Sequence, residues 1–135
     1  MQDMTVKTIP ESHADIIEKS QVVTLGTLGP NGEPQVTALW FLMEDGVLRM
    51  SINDSRQKLK NLVRDPRASA FFIDPENPYR TIELRGTVSI EPDPDYAFGD
   101  KVGAKYGGAD LREMDQPGQT RSVVTFNVEK VHVFG

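Results

Sequence analysis

The stretch SINDSRQKLKNLVRDPRASAFF, residues 51–72, predicts the end of a strand, a polar turn, one helix closed by Asp65 and Pro66, and a new strand. Residues 56–67 within it hold five basic side chains and one acidic side chain, although the whole chain has a formal net charge of -5. The basic residues are Arg56, Lys58, Lys60, Arg64 and Arg67. This local reversal of charge is the feature of the sequence that most needs an explanation.

The start of the predicted helix is where an anion would bind. A helix N-terminus already offers unpaired N–H groups and the positive end of the helix dipole, and Arg56 and Lys58 add two charges there. Ser51, Asn53 and Ser55, just before the helix, would supply neutral hydrogen bonds. The pattern predicts a phosphate or carboxylate site. The alternative interpretation is a solvated basic helix face, since charge clusters are common on surfaces.

The helix also has an apolar side. Leu59, Leu62 and Val63 recur at i, i+3 and i+4, which predicts the buried stripe. Lys58 and Asn61 fall three residues apart on a different face, so the pattern predicts that both point away from the core.

The bulk composition describes one ordinary domain over residues 1–135, with 38% hydrophobic and 26% charged residues. The chain has no cysteine, which excludes disulfides and thiolate chemistry and fits a reducing cytoplasm. No signal sequence or membrane-spanning stretch is recognisable. The acidic pI near 5.0 argues against nucleic-acid binding. We therefore expect a cytoplasmic protein with neither nucleic acid nor membrane among its partners.

A hairpin is predicted upstream of the basic helix. Residues 22–28 are rich in β-branched side chains, the turn GPNG follows, and a second strand runs from Gln35 to Met43. Apolar residues occupy positions 38–43 without alternating, so we expect both faces of this strand to be covered, one by the core and the other by a partner subunit or a flat ligand. The alternative is a strand enclosed by its own domain.

Strands and short turns dominate the rest of the chain. The further predicted elements are a short helix with a capping box at Ser12 and Asp15, strands at 47–52, 68–73, 79–90 and 121–134, and a helix at 95–106. Gly86 interrupts its strand and predicts a bulge or a close backbone approach. This order favours a small antiparallel barrel with helices outside it or at one end.

The sequence encodes little chemistry of its own. Two distant histidines without cysteine make no familiar metal site, and no nucleophile elbow, Walker A loop or dinucleotide fingerprint is present. We predict no catalytic side chain and no metal ligand. If the protein is an enzyme, its reactive group is a borrowed cofactor, and an anionic one would suit Arg56 and Lys58.

Five segments together resemble the pyridoxamine 5'-phosphate oxidase-like (FMN-binding split barrel) superfamily, in its coenzyme F420-dependent branch. They are GEPQVTALWF (32–41), the stretch 51–72 quoted above, DPENPYRTIELRG (74–86), KYGG (105–108) and RSVVTFNVEKVHV (121–133). The resemblance covers almost the whole chain from about Val22 onward. It implies a mainly β protein with a few helices, a small antiparallel Greek-key split β-barrel that forms a homodimer with two cofactor sites at the subunit interface.

The resemblance also implies which residues bind the cofactor. Lys58, with Arg56, Gln57 and Asn61, would hold its phosphate, and Ser51 and Ile52 would lie beside it. Gln35, Thr37, Ala38 and Leu39 would line the flavin-like ring, and Tyr79, Arg80, Thr81 and Arg121 would approach from the second subunit.

The chain departs from the pattern of true pyridoxamine phosphate oxidases. It has Thr37 where they usually have an arginine, Gln57-Lys58 where they have an Arg-Lys pair, and no C-terminal basic segment that would read the substrate phosphate. These departures speak against pyridoxamine phosphate as substrate and favour the deazaflavin over FMN. Coenzyme F420 also carries an acidic tail, which Lys60, Arg64 or Arg80 would steer.

The leading hypothesis is an F420-dependent oxidoreductase that transfers a hydride to a small unsaturated or quinone-like acceptor, with the protein holding donor and acceptor together. Three alternatives stay open. They are an FMN-dependent oxidoreductase, a non-catalytic carrier or sensor of a flavin or tetrapyrrole, and an anion- or RNA-binding barrel, the last disfavoured by the acidic pI.

Overall fold

A computed structural model of the protein describes residues 8–135. The seven strands are β1 (Val23–Leu28), β2 (Pro34–Leu39), β3 (Leu42–Glu44), β4 (Val47–Asn53), β5 (Arg67–Asp74), β6 (Asn77–Pro92) and β7 (Arg121–Phe134). The three α-helices are α1 (Ala14–Lys19), α2 (Gln57–Arg64) and α3 (Ala97–Lys105), and short 3-10 turns occupy Glu11–His13 and Leu111–Met114.

All seven strands join one antiparallel sheet in the order β2-β1-β5-β6-β7-β4-β3, curled into a half-barrel. Hairpins connect β1 to β2, β3 to β4 and β5 to β6. Strand β1 also pairs with β5, and β4 with β7, so the sheet joins strands that are distant in sequence. This arrangement confirms the predicted antiparallel, mainly β split-barrel fold.

The core fills the concave side of the sheet. Alternate residues of the strands point inward, as the period-2 pattern of β6 predicted: Ile82 and Leu84 are fully buried and Val88 is 8% exposed. Helix α1 adds Ile16 and Ile17, and α2 adds Leu59 and Leu62. Helices α1 and α2 therefore pack their apolar residues into the same core as the strands.

The predicted strand from Gln35 to Met43 is wrong in one respect, because the structure breaks it at Trp40 and Phe41. The Trp40 ring leaves the sheet and stacks on Tyr106, at 4.3 Å between ring centroids and 4° between planes. The chain then resumes as β3 on the opposite edge of the sheet. Aromatic stacking against α3 thus overrides the strand preference of these residues.

The apolar stripe predicted for α2 is also partly wrong. Leu59 and Leu62 are buried, but Val63 is 69% exposed. Asn61 is 1% exposed and occupies the buried position expected for Val63. Its amide can be buried because it donates hydrogen bonds to Thr27 on β1 and Gln35 on β2. Lys58 and Asn61 therefore do not both point away from the core.

The capping box predicted at Ser12 and Asp15 does not form. Helix α1 has His13 at its N-cap position, without a side-chain cap. The Asp15 carboxylate is instead bound by Arg80, at 3.0 Å from Oδ2 to Nη1. A distant cation thus outcompetes the local backbone N–H groups for this carboxylate.

Two glycines are required by close backbone approach. A Cβ at Gly86 would lie 1.9 Å from the carbonyl O of Asn127, and the register of β6 against β7 shifts between Arg85 and Gly86, which confirms the predicted bulge. In α3, a Cβ at Gly103 would lie 1.9 Å from the carbonyl O of Ala109. This second contact lets the loop after α3 turn back across the helix.

Within residues 8–135, no helix is long and apolar enough to cross a membrane. Over the same residues, no group of three His, Cys, Asp or Glu side chains could hold a metal ion.

Candidate functional site

A cavity of about 280 Å³ opens where α2, α3 and the loop after it meet strands β2 and β4. Its walls differ in character. The apolar wall comprises Val22, Ala38, Leu39, Trp40, Ile52, Val102, Leu111 and Met114, and the polar wall comprises Ser51, Asn53, Arg56, Lys58 and Arg121. Seven of the predicted cofactor-binding residues therefore lie together, namely Ala38, Leu39, Ser51, Ile52, Arg56, Lys58 and Arg121.

The polar wall has two cations whose charge no residue of the described range compensates. Neither the Arg56 nor the Lys58 side chain makes an ion pair or hydrogen bond with any residue of the described range 8–135. Burial, aided by the neighbouring Arg56 charge, lowers the pKa of the Lys58 ammonium. A desolvated ammonium without a counter-ion raises the free energy of the ligand-free protein, and an anion in this cavity would lower it.

A second unsatisfied group lies next to this wall, on β2. The Thr37 hydroxyl is shielded from solvent and has no hydrogen-bond partner among the described residues. Buried polar atoms are nearly always paired in folded proteins. Thr37 directly precedes Ala38 on β2 but does not line the cavity itself, since successive side chains of a strand point to opposite faces.

The apolar wall is held rigidly by the Trp40–Tyr106 pair. The Tyr106 hydroxyl accepts a hydrogen bond from the Phe41 N–H at 3.1 Å and lies 2.9 Å from the carbonyl O of Gln21. The Lys105 ammonium donates to the Phe41 carbonyl at 2.9 Å and covers the Phe41 ring at 3.6 Å. These contacts fix the break between β2 and β3, and with it the position of Trp40 in the cavity.

Asn61 connects α2 to the sheet. Its Nδ2 donates to Thr27 Oγ1 and Gln35 Oε1, both at 3.1 Å, and its Oδ1 accepts from Gln57 Nε2 at 2.8 Å. Gln35, Gln57 and Asn61 were predicted as cofactor ligands, but they do not line the cavity; their amides bind one another instead. The structure therefore assigns them the task of fixing the helix that carries Lys58. Thr27 was not recognised from the sequence.

A buried carboxylate, also unrecognised from the sequence, binds two residues of the polar wall, Asn53 and Arg121. Asp115 lies in the loop between α3 and β7, and its oxygens accept from Arg121 Nε at 2.8 Å and Nη2 at 2.9 Å. Asn53 Nδ2 and the Tyr96 hydroxyl also donate to it, at 2.8 and 2.7 Å. Burial raises the pKa of this carboxyl, but the Arg121 ion pair and the other donors outweigh burial and hold its pKa at about 2.

Three further predicted site residues, like Gln35, Thr37, Gln57 and Asn61, do not line the cavity. Tyr79, Arg80 and Thr81 lie at the start of β6. There the Arg80 guanidinium binds Asp74 at 2.6 Å and Asp15 at 3.0 Å. Their approach to the site of a second subunit stays a prediction.

A larger cavity, of about 490 Å³, lies elsewhere, across β1, β2, β5 and β6. Of its three basic residues, Arg67 and Arg85 are paired with the carboxylates of Asp65 and Glu83, whereas Lys130 has no ion pair among the described residues. The larger cavity contains none of the predicted site residues, so we take the smaller cavity as the candidate site.

The chemistry of the smaller cavity is that of binding. Within residues 8–135 its wall presents two uncompensated cations, several hydrogen-bonding groups and a broad apolar surface, but no nucleophile–base pair and no carboxylate pair. Such a site can hold a molecule that is flat and apolar at one end and anionic at the other.

The sequence matches the model of a family described as pyridoxamine 5'-phosphate oxidase over residues 9–135. Among curated proteins, none matches the chain.

Among solved structures, a protein named F420 reductase is 34% identical, with a TM-score of 0.80; the match covers 92% of this chain and 98% of that one. A conserved hypothetical protein from Mycobacterium tuberculosis is 27% identical, with a TM-score of 0.76, over 99% of this chain and 89% of that one. A heme binding protein from Mycobacterium smegmatis is 22% identical, with a TM-score of 0.69, over 96% of this chain and 56% of that one, a likeness of fold alone.

Proposed function

Because the chain belongs to the pyridoxamine 5'-phosphate oxidase family, we propose that it is an oxidoreductase whose cofactor is coenzyme F420 and whose acceptor is a small unsaturated or quinone-like molecule. When bound, the deazaflavin supplies the hydride. Every other contribution is one of binding and orientation. The observation that carries the proposal is the pair of cations uncompensated within the described residues, Arg56 and Lys58, in the polar wall of a cavity whose other wall is apolar.

The residues of the cavity fit such a cofactor. Lys58 and Arg56 would bind its phosphate, with Ser51 supplying a neutral hydrogen bond. Ala38 and Leu39 of the cavity wall would contact the ring, together with the backbone of Thr37. The apolar wall at Trp40 would exclude water from the ring.

Two observations favour the deazaflavin over FMN. The structure named F420 reductase is 34% identical to this chain over nearly its full length. The chain also departs from pyridoxamine phosphate oxidases at Thr37 and Gln57, as the sequence shows. FMN is nevertheless the second candidate, because Arg56 and Lys58 would hold its phosphate monoester equally well.

We also propose that the protein is a homodimer with two cofactor sites at the subunit interface. In support, Val36 on edge strand β2 is 65% exposed. Ala38, Thr24 and Phe71 form a neighbouring row across β2, β1 and β5 on the convex face of the sheet. A second copy covering this face would bury it, as the consecutive apolar residues of 38–43 suggested.

Parallel titrations of the purified apoprotein with coenzyme F420, FMN and hemin, followed by fluorescence and absorbance, test the cofactor. Light scattering on the same samples tests the dimer. We expect a dimer that binds coenzyme F420 more tightly than FMN and hemin. Tighter binding of FMN would indicate a flavin-dependent oxidoreductase instead. Preferential binding of hemin would favour a tetrapyrrole carrier, and binding of none of the three would refute the proposal.

A further inference from the structure

Asp115 is the only carboxylate on the polar side of the cavity to which four hydrogen bonds converge within the described chain. Its side chain is 3% exposed, and its donors come from three separate segments: Asn53 at the end of β4, Tyr96 before α3, and Arg121 at the start of β7. A buried carboxylate with all its oxygens occupied fixes the geometry of the groups that bind it.

Two of these donors are themselves part of the cavity wall. Arg121 is 11% exposed, and its third nitrogen, Nη1, lies 3.4 Å from both the carbonyl O and the Oγ of Ser51. The two-pronged ion pair with Asp115 therefore fixes the orientation of the Arg121 guanidinium, with Nη1 directed at Ser51.

The second donor, Asn53, links Asp115 to α2. While Nδ2 of Asn53 donates to Asp115, its Oδ1 accepts from the backbone N–H of Ser55 at 2.8 Å and from the Ser55 hydroxyl at 2.7 Å. This Asx turn directly precedes Arg56 and Lys58. The orientation of Asn53 thus fixes the turn from which Arg56 and Lys58 extend.

The third donor, Tyr96, has a strained backbone. Its φ of 58° places a bulky non-glycine residue in the left-handed region, which costs free energy unless other contacts enforce it. The enforcing contacts are the 2.7 Å hydrogen bond to Asp115 and the Arg112 guanidinium, 4.6 Å above the ring. The unfavourable backbone conformation of Tyr96 is therefore the conformation that brings its hydroxyl to Asp115.

We propose that Asp115 is a positioning residue for the anion of the cofactor: it orients Arg121 directly, and Arg56 and Lys58 through Asn53 and the Ser55 turn. The proposal rests on the proposed function, because it concerns the affinity of the same site. It also assigns a task to the loop between α3 and β7, which brings Leu111 and Met114 to the apolar wall and Asp115 into contact with Asn53 and Arg121 of the polar wall.

The sign of the effect separates positioning from simple electrostatics. An Asp115→Asn variant keeps the shape of the side chain but removes a negative charge beside Arg121. If Asp115 only neutralised Arg121, the variant would bind an anion more tightly, because the guanidinium would be left uncompensated. If Asp115 positions the wall, the variant binds more weakly.

The experiment compares the Kd of coenzyme F420 for the wild type, Asp115→Asn and Glu113→Gln. Glu113 is the matched control, since it lies in the same loop, is exposed, and makes no side-chain hydrogen bond or ion pair with a described residue. We expect binding about fivefold to tenfold weaker in Asp115→Asn, at unchanged stoichiometry, and a change of less than about twofold in Glu113→Gln. In an Arg121→Gln background, the effect of Asp115→Asn should shrink but not vanish, because the Asn53 branch remains.

Equal or tighter binding by Asp115→Asn, with the wild type binding normally, would overturn the positioning role and leave the proposed function intact. Failure of the wild type to bind either coenzyme F420 or FMN would overturn both. If Asp115→Asn does not fold, Tyr96→Phe replaces it: loss of one donor to Asp115 should weaken binding by about twofold, and unchanged affinity in that variant would contradict the proposal.

Discussion

Two clusters of basic side chains lie in different parts of the half-barrel, and they differ in whether their charge is compensated. Lys19 and Arg80, at the β5–β6 hairpin, surround the Asp74 carboxylate, which is 3% exposed, at 3.0 and 2.6 Å. Arg56 and Lys58, in the cavity, have no carboxylate partner within the described residues.

The difference teaches how to tell a structural charge from a functional one. Where each cation meets a carboxylate, the cluster stabilises the fold, and the pKa of Asp74 is lowered by hydrogen bonds from the Glu76 backbone and from Lys19 and Arg80. Where a desolvated lysine lacks a partner, its ordinary counter-charge is missing and a ligand is the simplest supplier. The comparison predicts that the two clusters respond to mutation in opposite ways.

The largest effect is expected for Asp74→Ala on stability. The substitution leaves Lys19 and Arg80 without their shared buried partner, so the Tm should fall by about 5–10 °C in thermal unfolding. The affinity of the folded variant for coenzyme F420 should stay at the wild-type value below the Tm. A Tm within error of the wild type would show that this cluster is not the structural one.

The next effect is expected for Lys58→Ala on affinity. Removing the charge-assisted bond to the ligand phosphate should weaken binding by about 1–3 kcal/mol in a fluorescence titration. Stability should be unchanged or slightly higher, because a desolvated ammonium next to Arg56 is removed. A fall in Tm without a loss of affinity would reverse the assignment of the two clusters.

A smaller effect is expected from pH. Because the pKa of Lys58 lies below its ordinary value of 10.5, the ammonium is lost at a lower pH than in a free lysine, and anion affinity should fall as pH rises through that pKa. Lys58→Arg should flatten the decline, since arginine stays charged. A wild-type affinity that falls no earlier with rising pH than that of Lys58→Arg would contradict a role for the Lys58 charge.

The smallest effect is expected for Arg67→Ala. This arginine is paired with Asp65 at 2.7 Å, but its side chain is 70% exposed. Solvent-exposed ion pairs contribute little, so the Tm should change by about 1 °C or less. A large loss of stability would mean that an ion pair stabilises this fold even when it is exposed, so that burial is not what makes the Asp74 cluster structural.

Much of the fold follows from local patterns in the sequence. The hairpin turn at residues 29–32, the helix closed by Asp65 and Pro66 and the inward row of Ile82 and Leu84 all depend on neighbours in the chain, and the structure confirms them. The resemblance to the split-barrel family is likewise confirmed by the match over residues 9–135.

What the sequence did not reveal depends on contacts between distant residues. Trp40 leaves its strand because Tyr106, 66 positions away, stacks on it. Helical periodicity allows either Val63 or Asn61 on the buried side of α2, and only the presence of Thr27 and Gln35 selects Asn61.

The candidate site divides in the same way. Lys58 and Arg56 were predictable because a cluster of basic residues at a helix start has a direct physical meaning. Asp115 was not, because it lies in a polar loop without periodicity and acts on residues up to 62 positions away. Its task becomes visible only when four donors from three segments are seen to meet.

The most direct test of the central claim is the Kd of coenzyme F420 for Lys58→Ala beside Lys60→Ala. Lys60 lies on the same helix, is exposed and does not line the cavity. If the uncompensated cation binds the ligand, Lys58→Ala should lose at least about fivefold in affinity. Lys60→Ala should change the affinity by less than about twofold, because steering of the acidic tail by an exposed charge acts mainly on the association rate. Equal affinity of the two variants, with the wild type binding normally, would contradict the account.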